Sequence, residues 1–268
     1  MRRLLWRGVE PEITIIVPVW DDYLHHLESC VASLRAQEPR PAIWVVDNAS
    51  RTPVPEVPGT TVLRAPERLA VGEARNFALA RVTTEYVLFC DADDELAEGA
   101  LEALHGVLAR DPRLGFAGGG IAALPAGGGD PEPIHWPPAY LQRLARYPRL
   151  LAMRSLWLSS LPATCTLYRT AVARASGGFG EGQLGEDWSF VTAVAFRARG
   201  ALLDRTVRRY RFSDDSLYHR ARSLPVRMAA HKAVRRRMLR DRAVPLYVKA
   251  LMPLFALHHW HVLRREAE

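Results

Sequence analysis

Asp91-Ala92-Asp93-Asp94 follows directly on the apolar run Tyr86-Val87-Leu88-Phe89-Cys90. Three carboxylates at the end of a buried strand repel one another and lose solvation, and a divalent cation is the usual remedy. Hard cations such as Mg²⁺ and Mn²⁺ take oxygen ligands and keep positions open for substrate phosphates. An Asp-x-Asp turn therefore suits one ion bridging a diphosphate, where the metal stabilises the negative charge that builds on a departing nucleotide. The same residues also suit a simpler task, since Asp93 or Asp94 would cap a helix starting near Glu95. Taken alone, they leave both readings open.

The surrounding chain must position that turn. Ile13-Thr14-Ile15-Ile16-Val17-Pro18-Val19 is apolar and β-branched, which reads as a buried strand. Leu24, Leu27, Val31 and Leu34 recur at helical spacing behind Asp21 and Asp22. Ala42 to Val46 forms a second strand that runs into the polar turn Asp47-Asn48-Ala49-Ser50, and Thr61 to Arg64 forms a short third. A helix over Val71 to Val82, a strand over Tyr86 to Cys90 and a helix over about 97 to 109 complete the first half. Strands alternating with helices at this spacing predict an α/β unit with a mainly parallel sheet. In such sheets ligands bind beyond the carboxyl ends of the strands, so Asp47 and Asp91 are expected to face one crevice.

The second half is less regular. Leu114 to Ala117 reads as a strand closed by Gly118-Gly119-Gly120, and Pro125 to Pro138 as a long surface loop, functional or mobile. Residues 139 to 160 are expected to be helical, with strands at Thr164 to Tyr168 and Arg205 to Phe212. Beyond Ser223 the chain reads as helical and basic.

Composition excludes several classes. With 49% hydrophobic and 24% charged residues in 268, the chain is long and apolar enough to bury a core, so disorder is not expected over most of it. Cys30, Cys90 and Cys165 fit no metal-ligand spacing and are expected to be reduced and structural, which suits a cytoplasmic setting. Arg7 and Glu10 interrupt the N-terminal apolar residues before a secretory signal develops, and no run is long enough to span a bilayer. The net charge of +7 is concentrated near the C-terminus, where 222 to 242 is basic and 246 to 263 apolar. That pairing suits peripheral attachment at the anionic inner face of a membrane, or simply a helix packed on the domain with its charges in water. Nucleic acid is disfavoured as a partner, because the basic segment lacks the interleaved aromatics that stack bases.

Five motifs in series carry a resemblance. Ile15-Ile16-Val17-Pro18-Val19-Trp20, Val46-Asp47-Asn48-Ala49-Ser50, Gly72-Glu73-Ala74-Arg75-Asn76, Phe89-Cys90-Asp91-Ala92-Asp93-Asp94, and Gly177-Gly178-Phe179-Gly180-Glu181 followed by Gly185-Glu186-Asp187 stand in the order found in family 2 glycosyltransferases of the GT-A fold. The resemblance covers roughly residues 13 to 215. It implies a catalytic domain over 1 to 220, with a nucleotide-sugar-binding half to about 112 and an acceptor-side half from 113, and a helical C-terminal extension over 221 to 268. The implied sheet is mixed, mainly parallel, and flanked by helices.

The resemblance also implies roles. Pro18 and Val19 would lie by the nucleoside, mainly through backbone. Asp47 would accept from a uracil-like base N–H, or cap its own turn. Arg75 would approach the base or diphosphate, or pair with a nearby carboxylate. Asp91 would contact the donor ribose or a Mn²⁺ or Mg²⁺ ion, Asp93 the ion, and Asp94 either. Asp187 would be the general base of an inverting transfer from a UDP- or dTDP-sugar to a saccharide or lipid-linked acceptor. Glu186-Asp187 also suits a plain helix N-terminus, and Trp188 either stacks on an acceptor sugar or fills the core. Many relatives carry a histidine after the base. Here the stretch reads Tyr210-Arg211-Phe212-Ser213-Asp214-Asp215-Ser216, so Asp214, Asp215 or His219 would substitute, or Arg211 would serve the diphosphate. The remaining histidines, His258, His259 and His261 among them, are expected on a solvated or interfacial helix. The missing histidine keeps a second function open, a nucleotide- or glycan-binding subunit of the same fold without turnover.

Overall fold

The computed structural model describes residues 11–125, 131–158, 161–182, 184–211 and 223–265. β1 (Ile13–Val19) is buried at every position, as a strand covered on both faces must be. It pairs in parallel with β2 (Ala42–Asp47) and β4 (Tyr86–Phe89), and β2 pairs in parallel with β3 (Thr60–Arg64). Successive side chains leave opposite faces of the sheet. Ile16, Val46 and Phe89 pack with α2 (Val71–Leu79), while Ile15, Val17, Val45 and Leu88 pack with α1 (Leu27–Arg35) and α3 (Ala100–Arg110).

The other half extends the same sheet. β5 (Glu95–Leu96), β6 (Leu114–Leu124), β7 (Glu132–His135), β8 (Leu167–Arg169) and β9 (Arg199–Arg211) complete nine strands in the order β3-β2-β1-β4-β8-β6-β9-β5, with β7 paired to β6. β8 runs antiparallel to both β4 and β6, whereas β6 and β9 are parallel. α4 (Ala139–Leu144), α5 (Pro148–Trp157), α6 (Thr170–Ala175) and α7 (Glu186–Ala195) follow, and α8 (Leu224–Arg240), α9 (Leu246–Ala250) and α10 (Met252–Arg265) end the described chain. Among the described residues no helix is long and apolar enough to cross a membrane.

Several local expectations are corrected. The glycines at 118 to 120 do not close β6 but lie inside it. A Cβ on Gly119 would stand 2.8 Å from the Arg205 carbonyl, so β9 can approach this closely only where no side chain exists. β7 occupies part of the segment expected to be a loop. The third helix starts at Ala100, behind Gly99, so neither Asp93 nor Asp94 caps it; Glu95 enters β5 instead. The helical stretch expected over 139 to 160 is two helices, broken between Leu144 and Pro148.

Candidate functional site

A cavity of about 570 Å³ opens at the carboxyl ends of β1 and β4. Pro18 and Trp20 line it from β1 and its exit, and Asp91, Ala92 and Asp93 from the turn after β4. Val71 and Arg75 reach it from α2, Arg208 and Tyr210 from β9, and Glu186, Asp187 and Trp188 from the first turn of α7. α2 and α7 meet closely because Gly72 has no side chain, since a Cβ there would lie 2.9 Å from Glu186 Cγ and 2.9 Å from the Gly180 carbonyl. Asn76 adds a second tie, donating to the Phe179 carbonyl at 3.0 Å and accepting from the Phe179 N–H at 2.8 Å. The motifs Gly72 to Asn76 and Gly177 to Asp187 are thereby held in one joint.

Two arginines organise the acids. Arg75 is 4% exposed and bridges Asp91 Oδ1 to Glu186 Oε1, the latter at 3.4 Å. Arg208 donates from Nε to Asp94 Oδ2 at 2.6 Å and from Nη2 to Asp91 Oδ2 at 3.3 Å. Burial works against ionisation of Asp91, but the Arg75 and Arg208 guanidiniums outweigh it and hold its carboxyl below the ordinary range. At Asp93 the balance is reversed: burial, then the Asp91 charge, raise it to about 6 against the weaker pull of Arg208 and Arg211. Burial, then the Asp187 charge, likewise raise Glu186 to about 7 against the pull of Arg75. For Asp94, burial first and then the neighbouring carboxylates raise the carboxyl to about 7, while Arg208, paired with it, pulls the other way.

The expected site residues divide into two groups. Pro18, Arg75, Asp91, Asp93, Glu186, Asp187 and Trp188 all line the cavity. Val19, Asp47, Asp94 and Arg211 do not. The Val19 carbonyl accepts from the Asn48 N–H at 2.9 Å. Asp47, 1% exposed, accepts from Ser50 N–H at 2.9 Å and Val54 N–H at 3.3 Å and pairs with Arg64, which makes it the cap of its own turn. Asp94 is fully buried against Arg208, so it is a structural anchor and not a shared ligand. Arg211 braces the acidic turn through the Asp93 carbonyl at 3.2 Å and Glu95 at 3.3 Å instead of facing the cavity. Trp188 is 6% exposed and donates to the Ser155 carbonyl at 2.6 Å, so it fills the core and shows only an edge. Asp187 is exposed, unlike Glu186 beside it. His219, Asp214 and Asp215 lie outside the described residues.

Arg208 is the residue that sequence reasoning missed. Its signal was the alternation along β9, where Arg208 and Tyr210 share one face while Val207 is buried on the other. His259 is a second correction: it is 3% exposed, not solvated, with Nε2 2.7 Å from the Leu156 carbonyl.

The model for Glycosyl transferase family 2 matches residues 14–177, more than half of the chain. The chain belongs to glycosyltransferase family 2. No protein of curated function matches this family 2 chain in sequence. Among solved structures it is similar to S. aureus TarS 1-349 in complex with UDP-GlcNAc, at 16% identity and a TM-score of 0.62 over 86% of this chain and 67% of that one. It is also similar to the mannosyltransferase PcManGT from Pyrobaculum calidifontis in complex with GDP-Man and Mn²⁺, at 19% identity and 0.61 over 97% and 76%. Against the longer S. aureus TarS structure the TM-score is 0.54, and the family 2 chain spans 40% of its length. At these identities the likeness establishes the fold, which is GT-A.

A divalent ion at this family 2 site would find its most available ligand in Asp93. Among the described residues the Asp93 carboxyl has no hydrogen-bonded side-chain partner, it faces the cavity, and burial, then the Asp91 charge, raise its pKa to about 6. Asp91 has both oxygens engaged by arginines and would share only a remaining lone pair. Among the described residues no three His, Cys, Asp or Glu converge as a ligand set. Such an ion competes with a proton at Asp93. Its affinity is therefore expected to rise as pH climbs through about 6 and to level off above. The check is the melting-temperature gain on adding Mn²⁺, which grows from pH 5 to pH 7.5; a gain independent of pH would count against Asp93 as ligand.

Proposed function

We propose that this protein transfers a sugar from a UDP- or dTDP-sugar to an acceptor hydroxyl with inversion at the anomeric carbon. One observation carries the reading: Asp93 and Asp187, from turns remote in sequence, line the same cavity with Arg75 between their elements. The acceptor oxygen attacks the anomeric carbon, its proton passes to Asp187, and the bond to the nucleoside diphosphate breaks with its electron pair. Asp93, with Asp91 beside it, would hold a Mn²⁺ or Mg²⁺ ion, which when bound would supply charge neutralisation to the leaving diphosphate. Arg75, held by Asp91 and Glu186, adds fixed positive charge at the same place.

The test is calorimetric titration of UDP with and without Mn²⁺, on the wild type and on Asp93→Ala. Metal-dependent binding that weakens by about 100-fold (roughly 2.8 kcal/mol) in the variant supports the reading. Equal binding by both proteins, or none by either, sinks it. Release of nucleotide from the donor then separates an enzyme from a subunit that only binds, because the latter shows none above background.

A specific observation also favours attachment at an anionic membrane surface. Leu254, Leu257 and Trp260 are exposed at helical spacing along α10, Leu246 of α9 is 83% exposed, and Arg264 lies over the Trp260 ring at 4.8 Å. A buried leucine contributes about 1.5–3 kcal/mol and a basic residue near anionic lipid about 1 kcal/mol. Replacing Leu254 and Leu257 by serine is expected to lower flotation with phosphatidylglycerol vesicles by at least about tenfold. Flotation equal to the wild type would remove the idea.

A further inference from the structure

We propose that α8 and α10, with Trp157 at the end of α5, build the acceptor subsite, where His231 hydrogen-bonds a hydroxyl of a pyranoside that carries no positive charge and the Trp157 indole stacks on its ring. The inference rests on the glycosyl-transfer reading and names the acceptor class for that same cavity.

The two helices are fixed to the catalytic elements. Arg237 of α8 donates to Ser189 Oγ at 2.8 Å on α7, and to the Ser176 carbonyl at 2.9 Å. Ala230 and Val234 press on Gly185, where a Cβ would lie 3.4 Å from each, immediately before Glu186 and Asp187. α10 is tied to α5 by His259. Arg235 can only donate, so His259 Nδ1 accepts from it at 2.9 Å, and Nε2 carries the proton given to the Leu156 carbonyl at 2.7 Å. His259 is thus locked in one neutral form, and burial, first among several causes, depresses its pKa to about 4.

His231 is placed differently. It stands edge-on to both His259 (4.6 Å) and Trp188 (4.8 Å) and lines the cavity. Its Nδ1 is buried without a hydrogen-bond partner, which makes Nε2 the nitrogen able to meet a ligand. A proton on the buried Nδ1 would be an unsatisfied donor, which favours the tautomer with N–H at Nε2. That gives the cavity a neutral donor on the wall that continues from Asp187.

The aromatic partner is at hand. Trp157 is 46% exposed, lines the cavity, and is stacked on His258 at 3.9 Å with planes 20° apart, which fixes the indole from behind. A pyranose presents an apolar C–H face to such a ring and hydroxyls to its rim, matching the mix of aromatic walls and few polar groups typical of ligand sites. Val262 and Leu263 extend the apolar side; among the described residues α8 and α10 contribute no carboxylate to the lining, and α8 adds the cationic Arg227. A cationic acceptor would find no counter-charge on this wall.

The test is direct binding of p-nitrophenyl pyranosides to the full chain by calorimetry, with His231→Ala, His231→Gln, Trp157→Ala and Trp157→Phe compared to the wild type. At least one pyranoside binds the wild type, both alanine variants weaken it by about tenfold or more, and glutamine and phenylalanine restore part of the loss. UDP titration of each variant reports whether the donor side is folded. Absence of binding by the wild type to every pyranoside overturns the proposal, as does binding unchanged in both alanine variants. Nucleotide release from UDP- or dTDP-sugars by the wild type is read separately. Its absence overturns the glycosyl-transfer reading even where pyranosides bind.

Discussion

Asp187→Asn is expected to lower kcat by about 10²–10⁴-fold, the usual worth of a general base, while UDP affinity in the presence of Mn²⁺ stays close to that of the wild type. The carboxylate sits at the first turn of α7, exposed, on the cavity that also receives Asp93 and Arg75. The amide keeps its size and its place on the helix but cannot take the acceptor proton. Glu186 offers a poor substitute. It is buried, bonded to Arg75 at 3.4 Å, and its proton affinity is raised chiefly by burial. Steady-state transfer kinetics beside a UDP titration checks the expectation. Turnover within about tenfold of the wild type would assign the proton to another group.

Arg208→Met is the largest expected loss of stability. Asp94 is wholly buried, and Arg208 holds it and Asp91 together. Removing one partner of a buried pair leaves an uncompensated charge and costs about 3–5 kcal/mol. At ~2–4 °C per kcal/mol for a chain of this size, the melting temperature falls by roughly 6–20 °C. The double variant Arg208→Met, Asp94→Leu is expected to recover most of that, because an apolar pair replaces the ionic one without an orphan. A single variant that melts within a few degrees of the wild type would mean that Asp94 is neutral or solvated.

The first half of the fold was legible because its signals are local. β1 spans Ile13–Val19 as read, and β2 and β4 end within a residue of their expected limits, since continuous buried runs stop where polar turns begin. The order of elements placed Asp91 on a crevice, and it lines the cavity, but Asp47, expected beside it at the end of β2, does not. What stayed hidden depends on partners far along the chain. Nothing near Gly118-Gly119-Gly120 says that a neighbouring strand passes close enough to require them. Arg208 lies among Arg205, Arg209 and Arg211, and only the carboxylates it meets 114 and 117 positions away distinguish it. His259 reads as one of several polar residues on a helix until the Leu156 carbonyl and Arg235 surround it. Asp47 followed the alternative of capping its turn because Ser50, Val54 and Arg64 all converge on it.

The three thiols give the molecule a built-in clock. Cys30, Cys90 and Cys165 are free and fully buried, with Sγ separations of 3.9 and 3.8 Å along the row. Cys30 Sγ also reaches the Asp91 carbonyl at 3.5 Å, directly beneath the acidic turn. A maleimide can therefore react only when this part of the core opens, and the rate of modification measures the frequency of that opening. Any small molecule that steadies the acidic turn slows the clock, so mass spectrometry of alkylated protein ranks candidate nucleotides without a reaction having to be known.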